Sequence, residues 1–160
     1  MSFNIFVMAI KINIITIGSF RSKDEYLFLF NEYKKRLPWN INLIELKNSK
    51  SDNVSERIEK ESAELLKNIT VGHKLIVLDE RGDIITTNKF ESICSKYFET
   101  SAGIDFVIGG SDGLSQRVRD RANFVLSLGK MVFPHLMVRV MLLEQLYRVY
   151  ALRTGRPYHK

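Results

Sequence analysis

The last five residues of the chain, Arg-Pro-Tyr-His-Lys, set an arginine, a tyrosine, a histidine and a lysine around Pro157. A tyrosine such as Tyr158 offers a flat π-face and a hydroxyl. A histidine such as His159 accepts or donates a proton near neutral pH. Lys160 is a compact cation. Together they could orient a planar ring, stabilise a developing oxyanion or assist loss of a proton. The competing explanation is a solvated tail, or cations gathered at the negative end of a helix. A second candidate stretch is Val-Ile-Gly-Gly-Ser-Asp-Gly-Leu-Ser, residues 107–115, with Gly109, Gly110 and Gly113. Glycines at this density let the backbone take positive φ and let a ligand approach closely. They also suit a plain tight turn before a helix capped by Ser115. A third stretch, Leu-Ser-Leu-Gly-Lys-Met-Val-Phe-Pro-His at residues 126–135, is too apolar to cradle phosphate. It suits a flat aromatic ligand held between backbone amides and apolar walls.

Positioning these stretches requires a scaffold, and the sequence reads as one α/β domain over residues 1–160. Strands are expected at residues 11–18, 41–47, 74–79, 105–110 and 123–129, where β-branched residues run up to glycine or turn signals. Helical patterns lie between them. Asp52 is a candidate N-cap for a helix carrying Val54, Ile58, Leu65 and Ile69 at near-helical spacing. Pro134 opens a long helix that runs to about Arg153, with Gly155 just past its end. Strands alternate with helices, and several strands are unbroken apolar runs. That pattern predicts a mostly parallel sheet covered by helices on both faces. Ligands of such sheets bind beyond the carboxyl ends of the strands. The loop after the first strand has a single glycine and neither a dinucleotide nor a Walker motif, so the site is expected in the C-terminal loops.

Composition narrows the function. The chain has 160 residues, a net charge of +6 and one cysteine, Cys94, which excludes an intramolecular disulfide and a cysteine zinc cluster. A reducing, cytoplasmic setting is expected, with Cys94 a buried apolar residue. No apolar run reaches the roughly 18 residues of a membrane span, and residues 1–10 do not read as a signal peptide. Three scattered histidines show no metal-ligand spacing. From Arg117 onward nine basic side chains face only Asp120 and Glu144, so the excess positive charge lies in the C-terminal quarter. A localised basic region attracts polyanions, commonly nucleic acid.

The stretches 106–115 and 126–150 and the terminal Arg-Pro-Tyr-His-Lys, supported by Tyr-Lys-Lys-Arg-Leu-Pro and Leu-Ile-Val-Leu-Asp-Glu-Arg-Gly, resemble the bacterial ribosomal RNA large-subunit methyltransferase H family. The likeness spans residues 11–160, leaving residues 1–10 as an N-terminal extension. It implies a SPOUT-type α/β knot with a trefoil-knotted C-terminal half. It also implies a homodimer that uses S-adenosylmethionine to methylate N3 of a pseudouridine in 23S ribosomal RNA, on the assembled ribosome. By the same likeness, cofactor contacts fall on Leu78, Gly110, Gly129, Lys130, Met131, Val132, Phe133 and Pro134. The catalytic tail falls on Tyr158, His159 and Lys160, closing the site of its own or the neighbouring subunit. Gly129 stands where the family often has serine.

With an RNA substrate in view, Arg117, Arg119 and Arg121 are expected at backbone phosphates, and Arg139 at phosphate or at the partner subunit. His73 is expected at the surface. His135 is expected to make a hydrogen bond at a helix end, with the site as the alternative. Glu144 and Arg148 are spaced for an i,i+4 pair. The apolar helix around them is expected in the core or at a dimer seam. Two rival functions remain on this reading: a non-catalytic RNA-binding module on the same fold, and a small-molecule enzyme on a flavodoxin-like sheet.

Overall fold

The computed structural model describes residues 10–159. The proposed extension therefore falls almost wholly outside the described residues, as does Lys160. The elements run β1 (Lys11–Ile17), α1 (Glu25–Arg36), β2 (Asn40–Leu46), α2 (Val54–Lys67), β3 (His73–Ile84), α3 (Thr87–Thr100), β4 (Gly103–Ile108), α4 (Gln116–Arg121), β5 (Phe124–Ser127) and α5 (His135–Thr154). A 3₁₀ turn, Pro157–His159, follows. The five strands form one sheet in the order β2-β1-β4-β3-β5, every pairing parallel. The carboxyl ends of all strands thus lie along one edge.

Period-two alternation divides the strand residues between two apolar layers. Ile12 and Ile14, Ile76 and Ile104, and Phe106 face α1, α3 and α5, where Phe30, Phe90, Leu142 and Leu146 are buried with them. Ile15 and Ile17, Leu75 and Val77, and Val107 face the other way, against Leu65 of α2 and Val118 of α4. Cys94 is buried in the first layer, and burial pushes its thiol pKa far up, as expected of an inert apolar residue. Leu142, Leu143, Leu146 and Val149 place the apolar face of α5 in the same layer.

The helix ends follow local chemistry. Asp24 caps α1 by accepting from the Tyr26 N–H at 2.9 Å. Asn53, rather than Asp52, caps α2, accepting from the Glu56 N–H at 3.0 Å. Either side chain could cap; the chain enters the helix one residue later than expected. Gly155 ends α5 in the left-handed conformation at φ 68.

Two expectations about strands change. β3 continues past Asp79 to Ile84, shifting register on β5 after Leu78. Gly82 makes this possible, because a Cβ there would lie 2.6 Å from the Val125 carbonyl oxygen. His73 is not at the surface. Its Nδ1 lies 2.7 Å from Asp105 Oδ1, and its side chain is 5 % exposed. The Asn13 side-chain amide and the Thr70 N–H also donate to Asp105. These groups sit at the amino end of the strands, where a buried carboxylate needs several donors.

Candidate functional site

A cavity of ≈ 770 Å³ opens at the carboxyl edge of the sheet, lined by the segments after β3, β4 and β5 and by the start of α5. Of the residues proposed to hold a cofactor, Leu78, Gly110, Gly129, Met131, Val132, Phe133 and Pro134 all line it. Lys130 does not; it is exposed beside the opening. Met131 and Val132 are 73 % and 80 % exposed, an apolar lip without a cover among the described residues.

Backbone geometry shapes this floor. The glycine loop folds back so that the Gly113 N–H donates to the Gly110 carbonyl at 3.1 Å, with Gly113 at φ 86. A Cβ on Gly109 would meet the Leu114 side chain at 2.8 Å. The glycines therefore permit a turn too tight for larger residues, and that turn itself forms one wall of the cavity.

Side chains from other elements fasten the loop. Arg57 of α2 donates through Nε to Asp112 at 2.6 Å and through Nη1 to the Ser51 carbonyl at 2.7 Å. Its hydrogen bond holds the Asp112 carboxyl below the usual range. Ser62 Oγ accepts from the Ser115 N–H at 3.0 Å, while the Ser115 side chain itself forms no cap bond. Arg119 joins the loop to the end of β3, donating from Nη1 to Asp79 at 3.0 Å and to the Leu114 carbonyl at 2.8 Å. Sequence reasoning missed Arg57, Asp112 and Asp79. The pairs that reveal their role, 57 with 112 and 79 with 119, are brought together only by the folded sheet.

Two arginines expected on RNA are placed otherwise. The Arg119 side chain is 10 % exposed and engaged with Asp79. Arg139 is fully buried. It donates to Glu45 at 3.1 Å and to the carbonyls of Ile17 and Gly18 at 2.9 and 3.0 Å, and lies 4.9 Å from the Phe20 ring centroid. It ties the turn after β1 to α5, and burial lowers its pKa. The Arg139 guanidinium reaches no surface, and Arg119 lines the cavity while held by Asp79. Arg117 and Arg121 are exposed on α4, Arg117 only 3.5 Å from Glu59.

His135 lines the cavity at the first residue of α5, and its ring makes no hydrogen bond at the helix end among the described residues. Burial, and then the charge of Arg139, lower its pKa, so the imidazole facing the cavity is neutral near pH 7. The Glu144–Arg148 pair forms at 2.7 Å. The tail lies at the other end of α5. The Tyr158 ring packs 4.5 Å from that of Tyr147, with Arg148 5.3 Å from its centroid. A hydrogen bond with Tyr33 raises the Tyr158 pKa.

Residues 10–159 match the family model described as Predicted SPOUT methyltransferase. The chain belongs to the SPOUT methyltransferase family. Curated relatives cover nearly all of it. Ribosomal RNA large subunit methyltransferase H of Clostridium tetani is 42% identical over 160 residues, 94% of this chain and 99% of its own length. The proteins of the same name from Caldicellulosiruptor bescii and Cereibacter sphaeroides are 37% and 36% identical, over 93% and 94% of this chain and 99% of their own lengths. A SPOUT methyltransferase needs a methyl donor. The cavity, at ≈ 770 Å³, lies within the range of about 300–1,000 Å³ usual for small-molecule pockets. Among the described residues no cluster of metal-ligating side chains occurs, and no helix is long and apolar enough to cross a membrane.

Proposed function

We propose that this SPOUT methyltransferase transfers a methyl group from S-adenosylmethionine to N3 of a pseudouridine in large-subunit ribosomal RNA. On this reading it works as a cytoplasmic homodimer on the assembled ribosome, as one domain with a trefoil-knotted C-terminal half. The names and near-complete coverage of the relatives support RNA as substrate. The single observation that carries the arrangement is the separation of cavity from tail. Tyr158 packs beside Tyr147, and Tyr147 lies roughly 18 Å of helix rise beyond His135 at the cavity. A tail docked there does not serve its own cavity. It completes the cavity of a second subunit, which also covers the exposed Met131 and Val132.

Leu78, Gly110 and the run Gly129–Pro134 would hold the cofactor, with Lys130 at the mouth. When bound, S-adenosylmethionine supplies an electrophilic methyl group on a sulfonium. The residues of the chain do the rest. Walls and backbone fix the angle of approach and exclude water. N3 carries a proton that must leave before its electron pair can accept a methyl group. Tyr158 stacks on the target ring. His159 and Lys160 stabilise the negative charge that spreads onto the carbonyl oxygens or assist loss of the proton. Arg117 and Arg121 contact backbone phosphate on the way in.

The test is methyl transfer from radiolabelled S-adenosylmethionine to unmodified ribosomes, to free 23S RNA and to 23S RNA lacking pseudouridine, with the labelled base mapped by mass spectrometry. Label on one pseudouridine, with ribosomes alone, is the expected result. Neither label nor cofactor binding would leave a non-catalytic RNA-binding module.

A further inference from the structure

Arg36 closes α1 in an unusual setting. Its guanidinium carbon lies 5.1 Å from the Tyr33 ring centroid and 5.9 Å from that of Tyr147. Two rings on different helices therefore hold it in place. Yet its guanidinium makes no hydrogen bond or ion pair among the described residues, and the residue is exposed. The acids nearby are already engaged. Glu144 accepts from Arg148 and Gln145, each at 2.7 Å, and Glu32 pairs with Lys35 at 3.0 Å. Lys34 and Lys35 are explained by the negative end of α1. Arg36 shares that helix end, but the helix end alone does not account for its two aromatic contacts. Cation–π contact orients a guanidinium while leaving its in-plane N–H donors open. An arginine fixed in this way, with its fork of donors unfilled, is arranged for a planar bidentate acceptor such as a phosphodiester.

The surroundings extend the same chemistry. Tyr147 also packs on Tyr158 of the tail, and Arg156 lies 4.8 Å from the Tyr150 centroid. Arginines thus alternate with tyrosine rings from the end of α1 across the end of α5 to the tail. Such a surface suits an unpaired RNA strand, with rings for bases and guanidinium groups for the backbone.

We infer that Arg36, seated between Tyr33 and Tyr147, is a backbone-phosphate contact for RNA on a platform continuous with the catalytic tail, gripping the strand that flanks the modified base. This rests on the proposed function, in which the tail meets that base. It assigns RNA binding to the end of α1, in the part of the chain before Arg117 that carries no net positive charge.

The test compares wild type with Arg36→Gln and Arg36→Lys, using purified ribosomes as the probe. For Arg36→Gln the expected result is a ribosome KM raised about tenfold, the loss of one charge-assisted pair. Calorimetric affinity for S-adenosylmethionine and kcat should not change, and the salt slope of log kcat/KM should shrink by about one. Arg36→Lys, which keeps charge but loses the fork, should fall between. Co-sedimentation with ribosomes separates this inference from the proposed activity. If wild type sediments and Arg36→Gln does not, the contact stands even where no methyl transfer occurs. Unchanged KM, sedimentation and salt slope in Arg36→Gln would overturn it. So would a shift of Arg36→Gln from dimer to monomer, which would make this face a subunit interface instead.

Discussion

The two ends of α5 use arginine in opposite ways. At its start, Arg139 is fully buried with a carboxylate and two backbone carbonyls as acceptors, beside the cavity. At its end, Arg148 and Arg156 lie over tyrosine rings, joined by Arg36 from α1. The first is a structural cation. Its desolvation is offset by fixed acceptors, and it holds the turn after β1 against the helix that starts the site. The others keep contact with water and pack through ring faces. A basic excess counted along a sequence does not separate the two kinds, because burial and not charge decides which arginines can meet a polyanion.

The strongest way to break this contrast is to remove the tail. Deleting Tyr158–Lys160 should lower methyl transfer about 10³-fold or more, the scale of lost proton transfer and oxyanion stabilisation. Cofactor affinity by calorimetry should stay within about twofold, since the proposed cofactor contacts lie on the segments after β3, β4 and β5 and not on the tail. Mixing the trimmed protein with a cavity-blocked variant, Leu128→Trp, should restore transfer that neither shows alone. Absence of rescue, with mixed dimers confirmed by mass spectrometry, would put tail and cavity in the same subunit.

Arg139→Met sharpens the contrast on the stability side. It removes the Arg139 donor from the carbonyls of Ile17 and Gly18 and from Glu45, at a cost of about 3 kcal/mol in urea denaturation. Arg36→Gln should change stability by about 0.5 kcal/mol or less, as exposed substitutions do. Equal losses would mean that both arginines serve the fold.

The sequence made the scaffold legible because its signals are local. Apolar strand runs, the Pro134 and Gly155 boundaries and the glycine loop each depend on neighbours in the chain. The lining of the cavity was legible for a different reason, since residues 129–134 are contiguous and carry the family likeness. Three things were not legible. Arg119 and Arg139 are engaged by partners 40 and 94 residues away. His73 is drawn inside by Asp105, 32 residues on. The aromatic seat of Arg36 needs α1 and α5 side by side. Such pairings are properties of the sheet order, which periodicity does not encode.

His135 tests the cavity end by pH. Its folded pKa is lowered from the ordinary 6.5, first by burial and then by Arg139. The folded chain therefore binds fewer protons than the unfolded chain just below pH 6.5. The stability contributed by the neutral ring is complete above that value and is lost as pH falls through it toward the folded pKa, at no more than about 1.4 kcal/mol per pH unit. In denaturation between pH 7.5 and 5.5, His135→Gln should show a shallower loss than wild type. An identical loss would mean that the ring is as solvated as the tail.

The smallest expected effect concerns Gly129, where the family resemblance leads one to expect serine. Gly129 adopts φ 144, a region favouring glycine, although nothing lies within 4 Å of where a Cβ would sit. Space is therefore open and only backbone strain opposes a side chain. Gly129→Ser should cost about 1 kcal/mol of stability and weaken cofactor binding less than tenfold, with the tail-dependent step unaffected. Two other bonds bear on that outcome. Ser127 Oγ donates to the Gly129 carbonyl at 2.8 Å, and the Gly129 N–H lies 3.2 Å from the same oxygen. Ser127 therefore holds both polar groups of Gly129 and resists relaxation of the loop. Ser127→Ala should free the loop, so the double variant should lose less than the sum of the two single losses. Strict additivity would show that the positive φ is set by α5 and Pro134 instead.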